Sequence, residues 1–86
     1  MELDLFKQWL ESNRGLKERS ARDVVSRVRR VDKIIDSDLK ESYETIVESL
    51  DNNEEFNKFS TYVKPQIKRA IKLYKEFIDE KNNINK

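Results

Sequence analysis

An all-α fold, a compact bundle of four or five helices, is predicted by three features of this sequence. Apolar residues recur at helical spacing through most of the 86 residues. A single glycine and a single proline leave little material for hairpins. Although 41% of the residues are charged against 36% hydrophobic, the net charge is only +1, so the chain reads as a charged helical domain rather than a disordered one. A chain of this length removes about 60% of its unfolded surface from water, enough for one modest core.

The elements follow in order. The first helix covers residues 2–13, with Leu3, Phe6 and Leu10 on one stripe, Trp9 beside it, and Glu2 and Asp4 complementing the N-terminal dipole. Gly15 ends it, because a lone glycine followed by apolar Leu16 fits a left-handed cap whose next residue packs back on the helix. The second helix starts within residues 17–20: Lys17 is a poor cap, whereas Ser20 followed by Asp23 has the spacing of a capping box. On it Ala21, Val24, Val25, Val28, Val31 and Ile35 share one side, and Arg19, Arg22, Ser26, Arg29, Arg30 and Lys33 share the other.

That helix stops around Asp36. Ser37 or Asp38 then caps a third, with Asp38 and Glu41 spaced as a capping box and Leu39, Tyr43, Ile46, Val47 and Leu50 as its apolar stripe. Asp51, Asn52 and Asn53 form a polar break, and Asn53 caps a short fourth helix carrying Phe56 and Phe59, with Tyr62 and Val63 near its exit. Pro65 opens the last helix, since a proline at the first helical position loses no intrahelical bond. Ile67, Ala70, Ile71, Tyr74, Phe77 and Ile78 share its core face, opposite Lys64, Lys68, Lys72 and Lys75. Beyond Glu80 the string KNNINK has no period, so residues 1–80 read as one helical domain and residues 81–86 as a tail or the start of a linker.

Charge is distributed unevenly. Residues 14–33 carry eight basic and three acidic side chains, residues 36–55 carry eight acidic and one basic, and residues 56–75 carry six basic and none acidic. A partner meets these local fields rather than their average. The two basic stripes suit a phosphate backbone, with Arg making forked contacts and Lys point charges. Ser20, Ser26, Thr61 and Gln66 lie among them and can hydrogen-bond to phosphates or base edges. Arg27 lies off the centre of the basic face and is assigned to packing over the core edge or to a salt bridge.

Other chemistry is limited by what the chain lacks. With no Cys and no His, disulfides, thiol chemistry, Cys/His zinc sites and imidazole acid/base work are excluded. Glu41, Glu44, Glu48 and Asp51 lack the glycine turn and alternating ligands of a calcium loop and read as a solvated face or an electrostatic partner for a basic surface, so no metal and no cofactor are expected. Tyr43, Tyr62 and Tyr74 have no evident base and are assigned to packing, as are Phe6, Trp9, Phe56, Phe59 and Phe77. Apolar runs never exceed two residues, which excludes a membrane span or signal-peptide core and makes the cytoplasm the simplest compartment.

The order of motifs resembles a known family. The string FKQWLESNRGLKERSARDVVSRVRRVDKII, then an acidic helix, then KPQIKRAIKLYKEFI, resembles the N-terminal core-binding domain of tyrosine recombinases and phage integrases. That family shows a Trp-Leu-like first helix, a Gly-Leu turn, a Ser/Thr-rich start to a long second helix, and a closing helix of the type small-apolar-Arg-x-Phe/Tyr-x-Phe-Leu. The resemblance spans about residues 6–78. This chain departs from the pattern at Ser20 and Val24, where Thr and Tyr are common, and at Lys17, where Ser or Thr usually caps.

The resemblance implies a SAM-like bundle over residues 1–80 that binds one side of a DNA duplex while a C-terminal catalytic domain of the full-length protein closes over the other. It places DNA contacts at Arg19, Ser20, Arg22, Arg29 and Arg30 on the second helix and at Lys64, Gln66, Lys68 and Arg69 on the last, with Lys72 continuing the stripe. The family's catalytic Arg, Lys, His-x-x-Arg and Tyr belong to that following domain, so the expected module is non-catalytic and takes part in DNA integration or recombination. This requires two cationic ridges side by side, with the acidic segment elsewhere. The competing class is a stand-alone protein-interaction module whose basic and acidic faces pair with a partner.

Overall fold

A computed structural model describes residues 3–35, 39 and 41–84, with side chains up to residue 81. Five helices and no strand are present among them: α1 (Leu3–Asn13), α2 (Glu18–Ile34), α3 (Tyr43–Asp51), α4 (Glu54–Asn57) and α5 (Val63–Ile84). The body measures 36 × 29 × 16 Å between Cα extremes, so its thin direction holds two helix layers at the usual spacing of about 8–10 Å. The long helices α2 and α5 pack on each other, α1 lies against both, and α3 rests on α4 and α5.

The core is drawn from the stripes read from the sequence, of which Leu3, Tyr43, Val47 and Ile78 are only partly buried. Phe6 and Leu10 of α1, Ala21, Val24, Val25, Val28 and Val31 of α2, Ile46 and Leu50 of α3, and Ile67, Ala70, Ile71, Tyr74 and Phe77 of α5 are all buried. Phe6 sits at an aromatic centre, edge-on to Tyr74 at 5.2 Å and tilted against Phe77 at 5.5 Å, and Trp9 packs on the same Phe77 ring at 5.7 Å. No described polar or charged residue is buried.

Helix ends are where the sequence and the structure part. Gly15 behaves as predicted: its φ is +66°, and the Leu16 N–H donates back to the Leu10 carbonyl at 3.1 Å, so the chain folds back over the helix end. The Ser20 capping box does not form, because Ser20 is the third residue of α2; Lys17 occupies the cap in extended conformation, and its side chain makes no cap bond. At the other end Asn53 ties two elements together. Its amide nitrogen donates to the Ile34 carbonyl at 3.1 Å, and its Oδ1 accepts from the Phe56 N–H at 3.0 Å, capping α4 as expected.

The third helix begins later than its apolar spacing suggests. Ser42 is its cap, its hydroxyl accepting from the Thr45 N–H at 3.3 Å, and Ser37 and Asp38 lie outside the described residues. Leu39 is therefore not a helical residue: it has φ +62°, is 1% exposed, and seats in the core as a plug ahead of the helix. Burial of its side chain competes with helical continuation there, and a Leu39–Tyr43 spacing of four cannot distinguish the two from sequence alone.

The last helix begins two residues before Pro65. Ser60 accepts from the Val63 N–H through both its hydroxyl, at 3.2 Å, and its carbonyl, at 3.1 Å, which starts the first turn early. Pro65 is still free of penalty at the third position, where a backbone N–H has no intrahelical acceptor. At the far end the helical backbone runs on to Ile84, through residues that lack apolar period.

These ends make two measurable statements. Gly15→Ala meets no atom within 4 Å, so its cost is purely that of the left-handed backbone, about 1–2 kcal/mol by denaturant unfolding. Lys17→Asp supplies the missing cap and raises stability by about 1 kcal/mol, whereas Ser20→Ala leaves α2 intact by circular dichroism.

Candidate nucleic-acid interface

The antiparallel packing of α2 and α5 sets which polar residues meet. Counting about 100° per residue, Ser20, Asp23 and Arg27 fall on one flank of the α2 core stripe, and Gln66, Arg69 and Leu73 on one flank of the α5 stripe. Those flanks face each other. They enclose a groove of about 410 Å³ lined by Leu16, Ser20, Asp23, Val24, Arg27, Gln66, Arg69, Ala70 and Leu73. Arg27 spans it, donating from Nη2 to Gln66 Oε1 at 2.9 Å across 39 positions of sequence.

Of the residues predicted to contact DNA, this groove gathers Ser20, Gln66 and Arg69. Arg19, Arg22, Arg29 and Arg30 are exposed along α2, and Lys72 is exposed on α5. Arg22 pairs with Glu18 one turn earlier at 2.8 Å, a surface contact worth about 0.3–0.5 kcal/mol that a phosphate readily displaces. Arg30 lies 5.5 Å from the centre of the Phe59 ring, which steadies its stem. Arg19, Arg29, Arg69 and Lys72 make no ion pair or hydrogen bond with any described residue.

The lysine stripe of α5 does not run beside the α2 ridge. Lys64, Lys68 and Lys75 occupy the opposite flank, over α3, α4 and the segment before them. Lys68 pairs with Asp51 at 3.0 Å, Lys64 reaches Asn57 Oδ1 at 3.4 Å, and both ammonium groups sit 5.8 Å from the Phe56 ring. Lys75 donates to the Leu39 carbonyl at 3.2 Å. The expected pair of adjacent ridges is thus replaced by the Arg19 and Arg30 side of α2 bordering the Gln66–Arg69 edge of α5, with Arg22 and Arg29 on the far flank of α2. Lys64 and Lys68 are partly engaged in holding the acidic side in place.

Three residues of this region are not marked as contacts by the sequence pattern. Arg27 is half-buried, packing at the core edge as expected, but its guanidinium also enters the groove. Asp23 is exposed in the groove lining, where the pattern offers it only a place in a capping box. Tyr62, expected to pack, is instead 77% exposed at the approach to α5. Arg14 closes the far end of the α2–α5 region by pairing with Glu76 at 2.6 Å and lying 5.1 Å over the Trp9 ring.

Among the described residues no group of three or more acidic side chains comes together to hold a metal ion, and no helix is long and apolar enough to cross a membrane. Set against known proteins, the chain matches no family model, no curated sequence and no solved structure. The geometry of the α2–α5 face therefore carries the functional argument.

The Arg27–Gln66 bond is testable on its own. A double-mutant cycle of Arg27→Ala and Gln66→Ala, read by denaturant unfolding, should give a coupling of about 1 kcal/mol, and additive effects would show that the bond contributes nothing.

Proposed function

We propose that this chain is a non-catalytic DNA-binding module that lays its α2–α5 face against a duplex. In this reading it is the core-binding part of a tyrosine recombinase or phage integrase, helping a catalytic domain to clamp duplex DNA during integration or recombination. The observation that carries the proposal is the groove. Two segments far apart in sequence, each independently marked as basic and polar, bring Ser20, Arg27, Gln66 and Arg69 to one lining. Arg19, which makes no ion pair or hydrogen bond with any described residue, lies on the helix that forms one of its walls. Guanidinium groups free of internal partners are the groups that fork onto phosphate oxygens, and polar side chains between them reach base edges. The family part of this reading rests on the sequence motifs alone, and Lys64 and Lys68, which they mark as contacts, lie off the α2–α5 groove.

A protein-interaction role is the second reading, favoured by one feature. A shallow depression between α1 and α5, lined by Leu5, Trp9, Phe77 and Lys81 among others, leaves Leu5 49% exposed. Such a patch is small beside the few hundred Å² that ordinary monomers expose.

Titration with a duplex of about 25 base pairs, two to three helical turns, separates the readings. DNA binding through about six neutralised phosphates gives a slope of log K against log salt of about −5. Replacing Arg19, Arg29 and Arg30 together by Ala should flatten it by about 0.9 for each phosphate left without its cation, with helicity unchanged by circular dichroism. Absence of any salt-dependent duplex binding, with self-association seen by sedimentation, overturns the proposal in favour of the second reading.

A further inference from the structure

Among the described residues, Tyr62 is the one aromatic side chain that the core does not take. Every other Phe, Tyr and Trp is buried or packed against the core, whereas Tyr62 is 77% exposed. Its phenol makes no hydrogen bond, and its ring no ring contact, with any described residue. A lone exposed ring is ordinary on a protein surface, so exposure alone assigns nothing; position does.

The Lys64 N–H donates to the Ser60 carbonyl at 3.1 Å, so a helical turn is already formed around Tyr62. Tyr62 therefore stands one turn before Gln66 and two before Arg69, and at about 100° per residue the three share the flank that faces α2. The C-terminal half of α2 lies alongside. Arg30 holds its guanidinium 5.5 Å from the ring of Phe59, three residues before Tyr62. Beyond the Arg27–Gln66 bond, the edge of the groove thus continues as Arg30 on one side and the turn carrying Tyr62 on the other. No acidic side chain stands in the first turn of α5 to repel an anion there.

Resting on the DNA-binding reading above, we infer that the Tyr62 hydroxyl donates to a backbone phosphate of the duplex, which extends the interface from the groove to the turn that opens α5. Tyrosine is among the side chains that hydrogen-bond phosphate oxygens, and its phenol brings a donor without a charge. Stacking on a base, the other use of an exposed aromatic, needs an unpaired strand, because a paired duplex keeps its base faces inside. The two neighbours then divide the work. Arg30 supplies the charge that draws a strand to this edge, and the directional bond from Tyr62 fixes where along the edge the strand sits.

A neutral donor and a cation leave different marks on a salt titration, which is the test. Binding to a duplex of about 25 base pairs is measured across salt concentrations for the wild-type chain, Tyr62→Phe, Tyr62→Ala and Arg69→Ala. Tyr62→Phe removes one exposed oxygen and nothing from the core, and should weaken binding about tenfold at every salt concentration with the slope unchanged, since a phenol releases no counterion. Arg69→Ala should instead flatten the slope by about 0.9. Tyr62→Ala should weaken binding at least as much as Tyr62→Phe. A Tyr62→Phe variant that binds like the wild type overturns the inference and leaves the DNA-binding proposal standing, whether Tyr62→Ala binds normally or is weakened through loss of the ring. Failure of the wild-type chain to bind any duplex at low salt overturns both.

Discussion

The valine face of α2 has to be covered, and α5 covers it. Val24, Val25, Val28 and Val31 are β-branched residues of modest helix propensity, set among arginines in a segment that gains little from intrinsic preference. A helix of 17 residues made this way draws its stability from burial against α1 and α5 rather than from its own hydrogen-bonded ladder. Once that packing is made, the antiparallel run of the two helices determines which surface residues meet. Arg27 comes opposite Gln66, Asp23 and Ser20 come opposite Arg69 and Leu73, and a groove follows from the spacing of two buried stripes.

The same constraint explains what is legible in the sequence. Core positions follow one helix at a time, so the stripes of α1, α2 and α5 are readable from period alone and supply most of the buried residues, with Leu3 and Ile78 only partly buried. Boundaries depend on single side chains choosing between local partners. Lys17 rather than Ser20 holds the α2 cap, Ser60 starts α5 ahead of Pro65, and Leu39 gives up helical backbone to fill the core. None of these choices changes the apolar period, so none is visible in it.

For the candidate site, the sequence marks which residues are basic or polar but not which flank each neighbour will occupy. Ser20 and Gln66 are legible as polar residues beside the basic stripes, and Arg69 is marked by the family resemblance alone. Lys64 and Lys68 carry the same signal, yet α4 lies on their side, and Asp51 and Asn57 take their ammonium groups. Arg27 reads as a packing residue for its position near the core edge, and that position is also what lets it reach across to α5. A helix therefore divides its charges by neighbour: on α5, Lys68 is paired with the acidic side while Arg69, one residue on, turns to the basic one.

Trp9, the sole tryptophan, is 9% exposed, with the Arg14 guanidinium over its ring and Phe77 against it. Its indole nitrogen is buried without a hydrogen-bond partner, and the residue contributes nothing to the groove lining. Intrinsic emission from this chain is consequently a gauge of whether the α1–α5 aromatic cluster is closed. A ligand seated between α2 and α5 is optically silent unless it strains that distant cluster, so any spectral change on binding is a sign of internal coupling rather than of direct touch.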